Sequence, residues 1–197
     1  MSVTNKASQE AKSKDGAVLP LSAEKIEWLK SNIRDIPDFP KPGIIFKDLT
    51  TLLQNGQAFS YVIDVMAEHC KSFEPNMIAG IEARGFILAP AIAYRLGVGF
   101  VPIRKPKKLP YRVERVSYDL EYGSDAVEVH VDAVAHGHRV VLIDDLLATG
   151  GTAGAAYQLL TKIGAHVVSI GFVSELSFLN GRTKLPKEID VFSLISY

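Results

Sequence analysis

From residue 77 onward the chain carries five short, nearly unbroken apolar runs: MIAGIEA (77–83), VGFVPIR (98–104), RVVLIDD (139–145), HVVSIGFVSE (166–175) and DVFSLIS (190–196). A strand that is apolar on both faces must be covered on both, the condition met by a parallel sheet with helices above and below. Residues 84–97 and 152–163 have helical spacing between such runs. The alternation predicts an α/β fold with a mainly parallel central sheet flanked by helices. In an open sheet of this kind ligands gather at the carboxyl ends of the strands.

Upstream, SAEKIEWLKSNI (22–33) reads as a helix, with Ser22 as N-cap and Ile26, Trp28, Leu29 and Ile33 as its packing stripe. RDIPDFPKPG then breaks it, and IIFKDLTTLL supplies a short apolar stretch and a turn. GQAFSYVIDVMAEHCKSF (56–73) reads as an amphipathic helix. SYDLEYGSDAVEVHV (117–131) reads as a hairpin, with Gly123, Ser124 and Asp125 turning it and Val127, Val129 and Val131 alternating with polar residues.

At 197 residues one domain is expected, with residues 21–197 as its body and the polar residues 1–20 as a disordered extension. Basic and acidic residues number 22 each, which argues against a dedicated nucleic-acid binder. No apolar run approaches the ~18 residues of a membrane span, and the opening segment lacks the apolar core of a secretory signal. A cytoplasmic location without membrane partners is expected. The single cysteine, Cys70, forms no internal disulfide and is expected simply to pack.

The densest chemistry lies in VVLIDDLLATGGTAGAA (140–156). Asp144 and Asp145 close the apolar run. Buried unpaired carboxylates are costly, so they are expected at the rim of the sheet. LLATGGT then leads into a helix beginning near Thr152. A helix N-terminus offers free N–H groups and partial positive charge, which suits a phosphate. Gly150 and Gly151 would let the backbone approach, and Thr149 and Thr152 add hydroxyls. A tight turn capped by Thr152, with solvated acids, explains the loop alone equally well. The adjacent acids favour a sugar phosphate, whose monoester the loop takes and whose vicinal hydroxyls the carboxylates accept. No Lys follows the glycines as in a P-loop, and no G-x-G-x-x-G is present here.

Four further features stand out. RKPKKLPYRVER (104–115) sets Arg104, Lys105, Lys107, Lys108, Arg112 and Arg115 against Glu114 alone. In a neutral protein this reads as an anion-binding lid, although composition also permits a solvated loop or a nucleic-acid patch. Arg84 follows a strand, where a cation opposes the dipole of the next helix and a ligand contact is the better use. Taken alone, Phe46 in GIIFKD reads as core and Glu121 in LEYG as a surface strand acid.

VVLIDDLLATGGT (140–152) closely resembles the phosphoribosyl-pyrophosphate (PRPP) motif of the type I phosphoribosyltransferases, and DDLLATGGT resembles most specifically that of the adenine phosphoribosyltransferases. FPKPGIIFKDLTTLL (39–53), GIEARGFILAP (80–90), VPIRKPKKLP (101–110) and SYDLEYGSDAVEVHVDA (117–133) resemble further blocks of that family, in its order. The resemblance implies a type I phosphoribosyltransferase fold, with a hood over the base at 21–55 and a flexible lid loop and hairpin at 104–131. It implies a purine-salvage enzyme that joins adenine to PRPP, giving AMP and pyrophosphate.

By the same resemblance Asp144 and Asp145 hold the ribose hydroxyls, and Ala148, Thr149, Gly150, Gly151 and Thr152 hold the 5′-phosphate. Arg84, Arg104, Lys105 and Lys108 meet pyrophosphate, and the Ala83–Arg84 bond is a non-proline cis peptide. Ile45, Phe46 and Lys47 meet adenine, with the Phe46 ring stacked on it. Relatives often carry Arg in place of Lys47, and Lys is not its equivalent at a stacked site. Glu121 handles a proton near the reacting centre, and Tyr122 helps to close the lid. Mg²⁺ is held mainly through PRPP oxygens, and the protein is a homodimer, with helix 84–97 as a possible interface.

Two rival readings keep the PRPP site. A purine-responsive regulator would use it as a sensor, but the hood and lid are intact and the polar first 20 residues are too short for a DNA-binding module. Transfer to hypoxanthine, guanine, xanthine or orotate would be decided around Phe46 and Lys47.

Overall fold

The computed structural model describes residues 21–119 and 124–197. The expected N-terminal extension, Glu121 and Tyr122 lie outside the described residues. Helix α1 (Ala23–Ser31) starts as expected at Ser22, whose hydroxyl accepts the Lys25 amide at 3.3 Å. Strands β1 (Arg34–Pro37) and β2 (Ile45–Asp48) form an antiparallel ribbon, followed by helices α2 (Thr50–Gln54) and α3 (Gly56–Lys71). Next come β3 (Met77–Ile81), α4 (Gly85–Leu96) and β4 (Gly99–Ile103). A hairpin of β5 (Val113–Asp119) and β6 (Ser124–His130) interrupts the alternation. The chain resumes with β7 (Arg139–Leu147), α5 (Gly151–Lys162), β8 (His166–Glu175) and β9 (Asp190–Ser196).

The central sheet has five parallel strands in the order β4-β3-β7-β8-β9. Successive side chains along a strand point to opposite faces, and β7 divides its residues accordingly. Val141 and Ile143 join the core beneath α1 to α4, with Leu29, Leu52, Met66 and Ile92. Val140 and Leu142 join the core beneath α5, with Ala156, Leu159, Phe172 and hairpin residues Val127 and Val129. Each fully buried aliphatic side chain contributes roughly 1.5–3 kcal/mol, so both layers are needed. Cys70 is fully buried in the first core, and that burial pushes its thiol pKa up. It packs, as expected.

Two expectations need correction. RDIP (34–37) is a strand, not simply a helix break, because Arg34 to Pro37 pair with Asp48 to Ile45. The expected cis bond at Ala83–Arg84 lies one residue earlier, at Glu82–Ala83. β3 has just ended there, and the Glu82 amide still donates to the Ile103 carbonyl at 2.9 Å, so the departure from the sheet begins directly after Glu82.

Arg34 and Asp48 tie the ribbon to α2. The Arg34 guanidinium donates to Asp48 at 2.6 Å, while the Thr50 hydroxyl and amide donate to its other oxygen at 2.7 and 2.9 Å. Arg34 first and then Thr50 hold the Asp48 carboxyl down at about 2. An unfolded aspartate titrates near ~3.9, so between these values the unfolded chain binds more protons. Stability from this site is therefore complete above about pH 4 and lost as pH falls toward 2. In acid-unfolding titrations the stability gap between wild type and Asp48→Asn is expected to be constant at neutral pH and to close across that window.

Candidate active site

The sheet changes winding direction between β3 and β7. β3 continues through α4 to β4 on one side, and β7 through α5 to β8 on the other. Such a switch point leaves a crevice at the strands' carboxyl ends. Here the crevice is widened, because β3 pairs with β7 only as far as Gly80 and Ile143, whereas β7 continues beside β8 to Leu147 and Glu175. A cleft lined by Glu82 to Arg84, Lys105 and the continuous run Asp144 to Ala153 fills the notch.

Asp144 and Asp145 therefore sit inside β7, not beyond its end, and not at a solvated rim. Asp145 is only 5% exposed and Asp144 is half-buried. The start of α4 packs against Asp144: a Cβ on Gly85 would lie 3.0 Å from the Ile143 carbonyl and 3.1 Å from the Asp144 carboxylate. Burial first, and then the charge of Asp145, raise the Asp144 carboxyl well above the usual carboxylate range. Arg84 Nε lies 2.8 Å from Asp145 Oδ2 but is not aligned to donate, and that oxygen has no hydrogen-bond partner. The pair is a polarised, under-satisfied acceptor surface facing the cleft.

The loop after β7 supplies the opposite character. Gly150 is the N-cap of α5, at φ +81°, and the helix begins at Gly151, one residue before the expected Thr152. Thr152 lies in the first turn, so no side chain caps the helix there. The first-turn amides of a helix lack intrahelical acceptors, and at α5 they face a cleft that Thr149 and Thr152 also line. Gly150 has a second role that the sequence does not reveal: a Cβ there would lie 2.2 Å from the Gly181 carbonyl oxygen.

The cations divide into two groups. Arg84 stands between Asp145 and the Phe46 ring, whose centroid is 5.5 Å from its guanidinium carbon. Arg104 is engaged by Glu82, with Nε and Nη2 at 3.2 and 3.3 Å from its two oxygens. Lys105 lines the cleft, and its ammonium contacts the Asp125 carboxylate and the Tyr118 hydroxyl. Burial opposes its charge, but those two groups outweigh it and raise its pKa. Lys108 is exposed on the loop beyond and does not line the cleft.

Above Arg84 the β1–β2 ribbon presents Phe46, whose ring meets Phe39 edge-on at 5.2 Å. Ile45 beside it is 56% exposed, on the face of the strand opposite Phe46. Lys47 is directed elsewhere, as strand alternation requires. Its ammonium is 2.7 Å from Asp35 and lies over the Tyr197 ring at 4.2 Å.

A phosphate-sized loop, paired acids and an aromatic hood thus meet at one switch point. The family model of the phosphoribosyl transferase domain matches residues 48–196. Adenine phosphoribosyltransferase from Acidobacterium capsulatum is 54% identical over 178 residues, spanning 90% of this chain and 98% of its own. The chain belongs to the adenine phosphoribosyltransferase family. Among solved members, the enzyme from Thermoanaerobacter pseudethanolicus superimposes with a TM-score of 0.84 at 51% identity, covering 87% of this chain and 99% of its own. That from Saccharomyces cerevisiae, solved in complex with adenine and an imino-altritol bisphosphate, gives a TM-score of 0.83 at 40% identity over 87% of this chain and 99% of its own. The adenine phosphoribosyltransferase fold is therefore that of most of the chain.

Proposed function

We propose that the protein transfers the 5-phosphoribosyl group of PRPP to adenine, releasing AMP and pyrophosphate. The observation that carries this reading is the juxtaposition, in one cleft, of the Asp144–Asp145 pair with the N-terminal turn of α5, under a hood bearing Phe46. The amides and hydroxyls of Ala148 to Thr152 take the 5′-phosphate, and the two carboxylates accept the ribose hydroxyls. Arg84, Lys105, Arg104 and Lys108 neutralise pyrophosphate as it leaves. For Arg104 and Lys108 this requires the loop that follows β4 to rearrange, because Arg104 is held by Glu82 and Lys108 lies outside the cleft.

The C1–pyrophosphate bond breaks as the bond to the base nitrogen forms, and positive charge develops on the sugar as in other glycosyl transfers. The protein orients the partners, stabilises the leaving anion electrostatically and keeps water out. Phe46 and the Ile45 backbone engage adenine. Lys47, bound to Asp35 and Tyr197, acts by holding the ribbon. Glu121 handles the proton of the base, and Tyr122 closes the lid.

Mg²⁺ fits this site as a substrate-borne ion. Hard oxygen ligands suit it, and the cleft offers two neighbouring carboxylates, but no group of three or more candidate ligands exists among the described residues. PRPP oxygens would supply most of its shell, and when bound it would withdraw charge from the departing pyrophosphate. The protein acts as a cytoplasmic homodimer. The dimer reading is supported by α4, where Ile87 and Tyr94, two turns apart, are 44% and 89% exposed. No described helix is long and apolar enough to cross a membrane.

Incubation with adenine, PRPP and Mg²⁺ is expected to yield AMP and pyrophosphate in equal amounts. Pyrophosphate without AMP would mean hydrolysis and would overturn the transfer reading.

A further inference from the structure

Ser177–Leu179 and Gly181–Lys184 form two short 3₁₀ turns between β8 and β9. The second turn is packed backbone to backbone against the candidate phosphate loop. A Cβ on Gly150 would lie 2.2 Å from the Gly181 carbonyl oxygen, and one on Gly181 would lie 2.2 Å from the Ala148 carbonyl oxygen. One turn into α5, a Cβ on Gly154 would lie 3.1 Å from the Lys184 carbonyl oxygen. The turn is thus a floor under Ala148 to Gly154, and no side chain lies between the Gly150 and Gly181 backbones to absorb a shift.

Arg182 fixes that floor. Its Nε donates to Glu175 at 2.9 Å, Nη1 to the Val191 carbonyl at 2.5 Å and Nη2 to the Ser193 hydroxyl at 3.4 Å. Glu175 is 8% exposed and ends β8, while Val191 and Ser193 belong to β9. One guanidinium therefore ties the turn to the last two strands, using the planar fork that Lys lacks.

We propose that Arg182 is a positioning residue for the 5′-phosphate loop, acting through the Gly181 backbone. It touches no substrate. It sets the height of Ala148 to Gly150 relative to the Asp144–Asp145 pair, so its loss relaxes one half of the site and leaves the other. The proposal rests on the phosphoribosyl reading above.

Calorimetric titration with ribose 5-phosphate and, separately, with pyrophosphate tests it on wild type, Arg182→Gln and Arg182→Lys. Ribose 5-phosphate binding is expected to weaken on the order of tenfold to hundredfold in Arg182→Gln, in line with the cost of misplacing a binding group. Arg182→Lys should fall between, and pyrophosphate affinity should stay within about twofold in both. In turnover the same variants should raise KM for PRPP more than KM for adenine. If Arg182→Gln fails to fold, Arg182→Lys carries the test alone, with the same selective loss expected. Equal weakening toward both ligands would mean a merely structural role and would overturn the proposal, as would unchanged ribose 5-phosphate affinity. Wild type that binds no ribose 5-phosphate would overturn the underlying reading together with this one.

Discussion

Replacing Asp144 and Asp145 together by asparagine is expected to slow AMP formation on the order of 10²–10³-fold in a protein that still folds. The carboxylates accept from hydroxyls, and an amide presents a donor to half of each contact. The single change Asp144→Asn should also raise the melting temperature. Burial and the neighbouring charge of Asp145 hold the Asp144 pKa well above its unfolded value. Between those two values the folded state binds the extra proton, so stability falls as pH rises through that window. Above it the ionised, desolvated Asp144 beside Asp145 is a standing cost that asparagine removes. Each kcal/mol recovered is worth ~2–4 °C in a chain of this size. Calorimetric melting from pH 5 to pH 8 beside initial rates would check both parts. A double variant with wild-type turnover would refute the ribose assignment.

Gly150→Ala is expected to be the most damaging single methyl in the cleft. The position has φ +81° and only 2.2 Å of clearance to a backbone oxygen. A left-handed alanine costs ~1–2 kcal/mol, and forced overlap in a packed site adds roughly 1–3 kcal/mol. Gly97→Ala provides the control, because Gly97 has φ +69° but nothing within 4 Å of its would-be Cβ. It should lose the conformational part alone and keep full affinity for PRPP. Gly150→Ala should lose both stability and PRPP binding. Equal melting temperatures for the two variants would contradict the close approach between Gly150 and Gly181.

The sheet was legible because burial on both faces leaves a mark in every strand. HVVSIGFVSE and DVFSLIS match β8 and β9 to the residue. β7 runs two residues past the expected end, because the adjacent acids interrupt an apolar pattern that Leu146 and Leu147 continue. β1 was not legible: RDIP owes its extended form to pairing with β2 and not to its own composition. The cleft followed from local sequence, since DD, the small-residue loop and Arg84 each lie within a few residues of the carboxyl ends of adjoining strands. The support behind it did not. Gly181 and Arg182 matter through Ala148, Gly150, Glu175 and Ser193, and nothing in NGRTK itself announces those contacts. The Lys47 ion pair with Asp35 likewise depends on the β1–β2 register, in which the two residues stand opposite each other.

The base that the protein accepts is adenine. The most direct test is kcat/KM for adenine, hypoxanthine, guanine, xanthine and orotate, each with PRPP and Mg²⁺, in wild type and Phe46→Ala. Turnover is expected with adenine alone, with a rise in KM for adenine in Phe46→Ala and little change in KM for PRPP. Preference for another base would contradict the role given to the hood, and PRPP binding without any turnover would contradict the enzyme itself.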